Sequence, residues 1–348
     1  MRSSILTDTF RRTHHYLRVS LTERCNFRCQ YCMPESGVAL TPQENLLSVE
    51  ETKQLLSLFS SLGVTKVRFT GGEPLLQTRI AEMVDFTRRE CHITDIGITT
   101  NGVLLPRYMD ALVESGLTRV NISIDTLQQD KFKYITRRNG LASVLKAIEA
   151  AKVYANEKRI QLKLNCVMMR GFNTDEVADF ALLAKESPIE VRFIEYMPFS
   201  ENSWEKEKVF TFMECLDTIE QTLNTKLHFT AGEKDGVAKL FRADGFQGKV
   251  GFISTMTTPF CGSCSRLRLT ADGKLLNCLF DQEEVNLLEV LRHSTAAERD
   301  ANLTAAIARS VRNKKKSLRG RMNPDTPLDT LWRDGDQTKG RPMVRIGG

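Results

Sequence analysis

From Tyr16 to about Tyr196, short apolar runs suited to strands alternate with helix-length amphipathic segments, the pattern of successive β/α units laid around a parallel sheet. Six strands are expected, near Tyr16–Thr22, Lys66–Thr70, Asp95–Thr99, Arg119–Ile124, Gln161–Val167 and Glu190–Tyr196. Each is apolar enough on both faces to be covered by helices. The clearest helix is predicted over Val49–Leu62, where Ser48 and Glu51 form a capping box and Gly63 suits the left-handed position after the last turn. Leu55, Leu58, Phe59 and Leu62 share one face of it. Leu141, Val144, Leu145 and Ile148 repeat that spacing, as do Val177, Phe180, Ala181 and Ala184, so each unit turns one apolar stripe to the sheet. The fold class expected is α/β, an incomplete (β/α) barrel of the TIM type.

After Pro198 the alternation stops. Segments punctuated by Gly232, Gly236, Gly245, Gly248 and Gly251 predict hairpins, and a division is expected between residues 1–230 and 231–348. Between Arg312 and Arg321 six of ten residues are Lys or Arg with no acid, a run that reads as a solvated helix end. A polar stretch follows and closes in Arg345-Ile346-Gly347-Gly348.

Composition changes this picture little. Hydrophobic residues make up 41% and charged residues 26% of 348, ordinary for a globular chain. No run of 18 apolar residues and no apolar leader core is present, so membrane insertion and secretion are not expected and a cytoplasmic location is. A net charge of +6 does not make a nucleic-acid binder, but it favours a small polyanion if the cations converge.

The chemistry lies in the nine cysteines. An odd count in tight local groups fits metal binding better than disulfides. Cys25, Cys29 and Cys32 form C-x3-C-x2-C directly after the first strand, where a barrel carries its catalytic groups. Iron–sulfur cubanes usually take four thiolates, so three leave one iron open for a ligand. Cys261, Cys264 and Cys278 form a second three-thiolate set, C-x2-C-x13-C. A structural zinc site that borrows a fourth ligand is the alternative for either group. Cys91, Cys166 and Cys215 fall singly within expected helices or strands and read as buried and inert.

Four of the six strands carry a cation between apolar neighbours: Arg18, Arg68, Lys163 and Arg192. If helices cover the outside, these side chains point inward, where a charge needs a partner. A bound triphosphate would serve, with Arg266 and Arg268 completing the set; ion pairs to Glu73, Asp125 or Glu195 are the alternative.

The run Cys25-Asn26-Phe27-Arg28-Cys29-Gln30-Tyr31-Cys32, with Gly71-Gly72-Glu73-Pro74 after the second strand, resembles the radical S-adenosylmethionine (SAM) superfamily. Cys261-Gly262-Ser263-Cys264-Ser265-Arg266-Leu267-Arg268, with Thr270-Ala271-Asp272-Gly273 and Cys278-Leu279-Phe280 behind it, is similar to the GTP 3',8-cyclase family within it. The match runs from Thr9 through Phe280 and is recovered at Gly347-Gly348. Phe10-Arg11-Arg12 stands where the family commonly has Phe-Gly-Arg, and Arg319–Arg341 matches no strong pattern.

That resemblance implies two 4Fe-4S clusters, one on each cysteine set, with SAM on the first and the guanine of GTP facing the open iron of the second. It implies SAM contacts at Tyr31, Gly72, Ser123 and Met197. It implies GTP contacts at Arg18, Arg68, Thr99, Lys163, Arg266, Leu267 and Arg268, and a catalytic role for Gly347 and Gly348. The implied reaction removes the ribose 3'-hydrogen, joins C3' to C8 and yields 3',8-cyclo-7,8-dihydro-GTP, the first step of molybdenum cofactor biosynthesis. A reducing donor such as flavodoxin or ferredoxin, coupling to cyclic pyranopterin monophosphate synthase and a homodimeric state complete the expectations, with no nucleic acid and no membrane. A radical SAM peptide maturase, a zinc-stabilised nucleic-acid binder using the basic run and a two-cluster electron carrier are the rivals.

Overall fold

A computed structural model describes residues 5–199, 202, 204–232, 236–280, 283–317 and 341–347. Six β/α units follow one another: β1 (Tyr16–Ser20), α1 (Val49–Ser61), β2 (Lys66–Thr70), α2 (Ile80–Arg89), β3 (Asp95–Thr100), α3 (Leu105–Glu114), β4 (Arg119–Ser123), α4 (Gln129–Thr136) and α5 (Leu141–Asn156), β5 (Gln161–Met168), α6 (Val177–Leu182), β6 (Glu190–Glu195) and α7 (Phe212–Leu223). The rest of the chain adds β7 (Leu227–Thr230), β8 (Lys239–Ala243), β9 (Lys249–Ile253), β10 (Arg266–Leu269), β11 (Lys274–Leu276), β12 (Val285–Asn286), α8 (Leu287–His293) and α9 (Arg299–Arg312).

All strands join one twelve-stranded sheet in the order β12-β11-β10-β1-β2-β3-β4-β5-β6-β9-β8-β7. β1 to β6 pair in parallel, and the later chain lays one further parallel strand on each edge: β10 beside β1 and β9 beside β6. Beyond these the pairing turns antiparallel. β9 and β10 do not pair with each other, so the barrel stays open on that side. The expected division after residue 230 falls inside the β7–β8 hairpin, whose strands pair Thr230 with Leu240.

Local signals explain the elements. The capping box at Ser48 and Glu51 is made, Glu51 N donating to Ser48 Oγ at 3.1 Å and Ser48 N to Glu51 Oε2 at 2.8 Å, and Gly63 follows the helix with φ 111°. Thr211 and Glu214 repeat the device on α7. Leu55, Leu56 and Phe59 of α1 are wholly buried against the sheet. Burying each such side chain is worth about 1.5–3 kcal/mol. Of the two other stripes, Val177, Phe180, Ala181 and Ala184 are all buried, whereas Leu145 lies toward the outside of α5 and only Leu141, Val144 and Ile148 reach the core. Core side chains thus occupy the outer, helix-covered face of the sheet, and the inner face is left for polar groups.

Candidate active site

The inner face encloses a cavity of about 340 Å³ at the C-terminal ends of the parallel strands, and Cys25, Cys29, Cys32, Cys261, Cys264 and Cys278 all line it. Cys91, Cys166 and Cys215 are buried elsewhere in the core.

The first cysteine loop leaves β1 and is tied to two neighbours. Gly72 N donates to Thr22 O and Glu73 N to Arg24 O, both at 2.8 Å, while Arg28 N and Gln30 N donate to Thr136 O and Ile135 O at the end of α4. Phe27 packs edge-on to Phe132, with ring centroids 5.6 Å apart. A Cβ on Gly72 would stand 2.3 Å from Arg24 O, and one on Gly71 2.6 Å from Thr22 O. The paired glycines are therefore required by the approach of the cysteine loop itself, a reason that lies closer to hand than a ligand. Glu73 accepts from Thr100 Oγ1 at 2.7 Å and Asn101 N at 2.8 Å, and burial raises its carboxyl to about 7. Tyr31 donates to Asp125 Oδ2 at 2.8 Å.

The second set is built differently. Cys261 and Cys264 bracket a single 3-10 turn, Cys264 Sγ stands 3.4 Å from Lys314 Nζ and 3.7 Å from Arg266 Nη2, and Cys278 follows β11. Burial pushes the Cys25 thiol up to about 11 and Cys32 to about 12, and raises Cys29. Burial also opposes ionisation of Cys264, but Arg266 and Lys314 together outweigh it and bring that thiol to about 6.

Register aligns the cations. Arg68, Arg18 and Arg268 lie side by side on β2, β1 and β10, and Lys66, Tyr16 and Arg266 form the adjacent row. Arg68 Nε donates to Tyr16 OH at 2.7 Å. Burial, then the neighbouring Arg18 and Arg266, lower Arg268 to about 9, so the row carries positive charge that an anion would relieve. Across the cavity, Thr99, Asn121, Lys163 and Glu190 form a row over β3 to β6. Lys163 Nζ is 3.5 Å from Glu190 Oε2, and Arg192 also pairs with Glu190. Glu73, Asp125 and Glu195, weighed from sequence as the acids for these cations, bind backbone and hydroxyl donors here. Thr99 Oγ1, Asn121 Oδ1 and Asn165 Oδ1 are buried with no hydrogen-bond partner among the described residues.

Tyr31, Gly72, Ser123 and Met197 line the cavity. Leu267 does not: its side chain is wholly buried in the core on the other face of β10. Segment 341–347 crosses the site. Arg341 donates to Asp272 at 3.0 and 2.9 Å and to Glu284 at 2.8 Å; Val344 and Ile346 are buried; and Gly347 O accepts from Arg18 at 3.2 Å and Arg268 at 3.4 Å. Gly348 lies outside the described residues.

Sequence reasoning missed Glu190, Asn121, Asn165 and Lys314. Glu190 was legible only through strand register. Lys314 sits in the run read as solvated, yet it is only 4% exposed and faces the cavity.

Comparison with known proteins agrees with this architecture. The model of the Radical SAM superfamily matches residues 19–184, and that of Molybdenum Cofactor Synthesis C matches 189–319. GTP 3',8-cyclase of Thermodesulfovibrio yellowstonii is 41% identical over 327 residues, covering 94% of this chain and 99% of its own. This chain belongs to the GTP 3',8-cyclase family. Human Molybdenum cofactor biosynthesis protein 1 is 44% identical over 344 residues, and the chain spans about half of it, 51%. The structure of Streptococcus suis SuiB bound to S-adenosylmethionine shares the fold at a TM-score of 0.60, with 14% identity, covering 95% of this chain and 77% of SuiB. Membership of the superfamily brings a SAM-binding iron–sulfur site, and the residues fit it. Cys25, Cys29 and Cys32 are near enough for burial and mutual repulsion to raise Cys29 and Cys32. Among the described residues no three His, Cys, Asp or Glu side chains converge on one point as a single ion needs. A cubane instead spreads its thiolates over separate irons. No helix among the described residues is long and apolar enough to cross a membrane.

Proposed function

We propose that this chain converts GTP to (8S)-3',8-cyclo-7,8-dihydroguanosine 5'-triphosphate, opening molybdenum cofactor biosynthesis. The observation that carries the reading is that six motif cysteines share one cavity with two rows of strand-borne cations. Residues 1–230 would supply the SAM half, with Cys25, Cys29 and Cys32 holding one 4Fe-4S cluster and Tyr31, Gly72, Ser123 and Met197 around SAM. Residues 231–348 would supply a second 4Fe-4S cluster on Cys261, Cys264 and Cys278. When bound, the first cluster and SAM supply a carbon radical able to take the ribose 3'-hydrogen.

The chain's own residues do the rest. Arg18, Arg68, Arg266 and Arg268 present guanidinium forks to the triphosphate, which matches their crowded positive charge. Lys163 and Arg192, paired with Glu190, hold the far wall, and the unpartnered oxygens of Thr99, Asn121 and Asn165 are acceptors or donors aimed at a polar ligand. Leu267 positions the two arginines that flank it by fixing β10 against β1. Gly347 completes the wall next to Arg18 and Arg268, and a catalytic role belongs to Gly347 and Gly348 in the same reading. Filling of the cavity by SAM and GTP would keep water from a reactive carbon centre. A reducing donor of the flavodoxin or ferredoxin class, cyclic pyranopterin monophosphate synthase as the consumer of product, a homodimeric state and a cytoplasmic location belong to the same reading.

The test is an anaerobic assay of reconstituted protein with GTP, SAM and a chemical reductant. Cyclised nucleotide and 5'-deoxyadenosine should appear together, and about eight irons should be bound, half of them lost in a C261A/C264A/C278A variant. Deoxyadenosine release with GTP recovered intact would point to another substrate, and zinc in the second set would remove the second cluster.

A further inference from the structure

Lys314 follows the last turn of α9, its N donating to Val311 O at 3.2 Å. A lysine ammonium has three hydrogens and no lone pair. Three acceptors surround this one: Arg266 O at 2.9 Å, Cys264 Sγ at 3.4 Å and His14 Nδ1 at 3.5 Å. His14 is wholly buried, and its Nε2 lies 3.2 Å from Asp8 Oδ2. A carboxylate only accepts, so Nε2 carries the ring hydrogen and Nδ1 turns a lone pair toward Lys314. Asp8 is itself held by Phe10 N at 2.8 Å, Arg12 N at 2.9 Å and Arg12 Nε at 2.6 Å. Every donor from Asp8 to Lys314 is thus assigned, and the remaining ammonium hydrogen is directed at the Cys264 sulfur.

A second contact fixes the same geometry. Arg12 donates to Cys261 O at 2.7 Å, to Lys316 O at 2.9 Å and to Lys315 O at 2.7 Å, so one side chain of the N-terminal arm clips the second cysteine loop to the segment that carries Lys314. Hydrogen bonds to cysteine sulfur and local charge are what set the reduction potential of an iron–sulfur cluster.

We propose that Lys314 donates an N–H···S bond to the Cys264 thiolate and thereby raises the reduction potential of the second cluster, with His14 and Asp8 as its positioning residues. This rests on the two-cluster reading above. A cation and an N–H donor at a ligating sulfur favour the reduced, more negative cluster, so their removal makes reduction harder.

The experiment uses the full chain with the first set removed (C25A/C29A/C32A), so that only the second cluster reports. Its midpoint potential is followed by electron paramagnetic resonance during a redox titration. K314M should shift the potential to more negative values, K314R should keep most of the parent value, and H14A should shift it the same way by less. An unchanged potential in K314M with full iron content overturns the inference. If K314M does not hold iron, K314A, which also removes both donor and charge but leaves less bulk beside the cysteine loop, is titrated in its place, and an unchanged potential there overturns it equally. If the parent background gives no cluster signal at all, the two-cluster reading fails and the inference with it.

Discussion

The Tyr16 hydroxyl accepts from Arg68 Nε at 2.7 Å with both side chains buried, so a phenol sits inside a cluster of guanidinium groups. Burial alone would keep that phenol protonated, but Arg68 and Arg18 outweigh it and lower it to about 7. An acid whose folded pKa lies below its unfolded value of about 10 adds stability that is complete above that value and is lost as pH falls through the folded one. Ultraviolet titration should therefore show one tyrosine ionising near pH 7. Y16F should abolish that step and flatten the rise in stability between neutral and alkaline pH. A titration with no ionisation below pH 9 would contradict the arrangement.

Glu190 is the acid that holds Lys163 and Arg192, and Lys163 is almost wholly buried. Removing one partner of a buried pair leaves a charge uncompensated, at a cost of about 3–5 kcal/mol. E190Q should lower stability to urea by about that much in the free protein. GTP should restore part of it, because a triphosphate brings a new counter-charge to the same wall. Equal losses with and without GTP would separate Glu190 from the ligand site.

Gly72→Ala would place a methyl group 2.3 Å from Arg24 O, a backbone atom that cannot swing aside. The loop must move, and overpacking of this kind costs about 1–3 kcal/mol. The first cysteine set should lose iron while the second keeps it, so total iron falls by about half with a reduced melting temperature. Full iron content in the variant would show that the loop can give way.

Gly347 has φ 71°, and a Cβ there would lie 2.6 Å from Thr70 Oγ1. Gly347→Ala should cost about 1–3 kcal/mol of stability, since the left-handed backbone disfavours a Cβ and the Thr70 and Ser20 side chains must give way. Cyclised product per 5'-deoxyadenosine should also drop at least tenfold, because the carbonyl on Arg18 and Arg268 would be displaced. An unchanged ratio would make the segment a passive cover.

The parts of this architecture legible in the sequence are those written in local periodicity. Six parallel strands and the helix that opens at Ser48 announce themselves by apolar runs and a capping box, and the observed ends differ by only a few residues. Likewise a cation inside an apolar strand can only point inward, and Arg18, Arg68, Lys163 and Arg192 do line the cavity. What depends on register could not be read locally. Nothing near Lys163 in the chain shows that Glu190 becomes its neighbour, and nothing near Tyr16 shows that Arg266 lies alongside. The basic run is solvated at Arg312, Lys315 and Lys316, as its composition suggests, and Lys314 alone among its described cations departs from that reading, because a count of charges cannot show that one lysine turns inward to His14 and Cys264.

The two edge strands supplied by the later chain also set a timetable for synthesis. β1 gains its inner neighbour as soon as Lys66–Thr70 is made, but its other edge has no partner until Arg266–Leu269 leaves the ribosome. β6 likewise waits for Lys249–Ile253. Between the synthesis of β6 and that of β9 the six strands present two bare parallel edges, and the β1 edge stays bare until β10 is made, a template for wrong pairing.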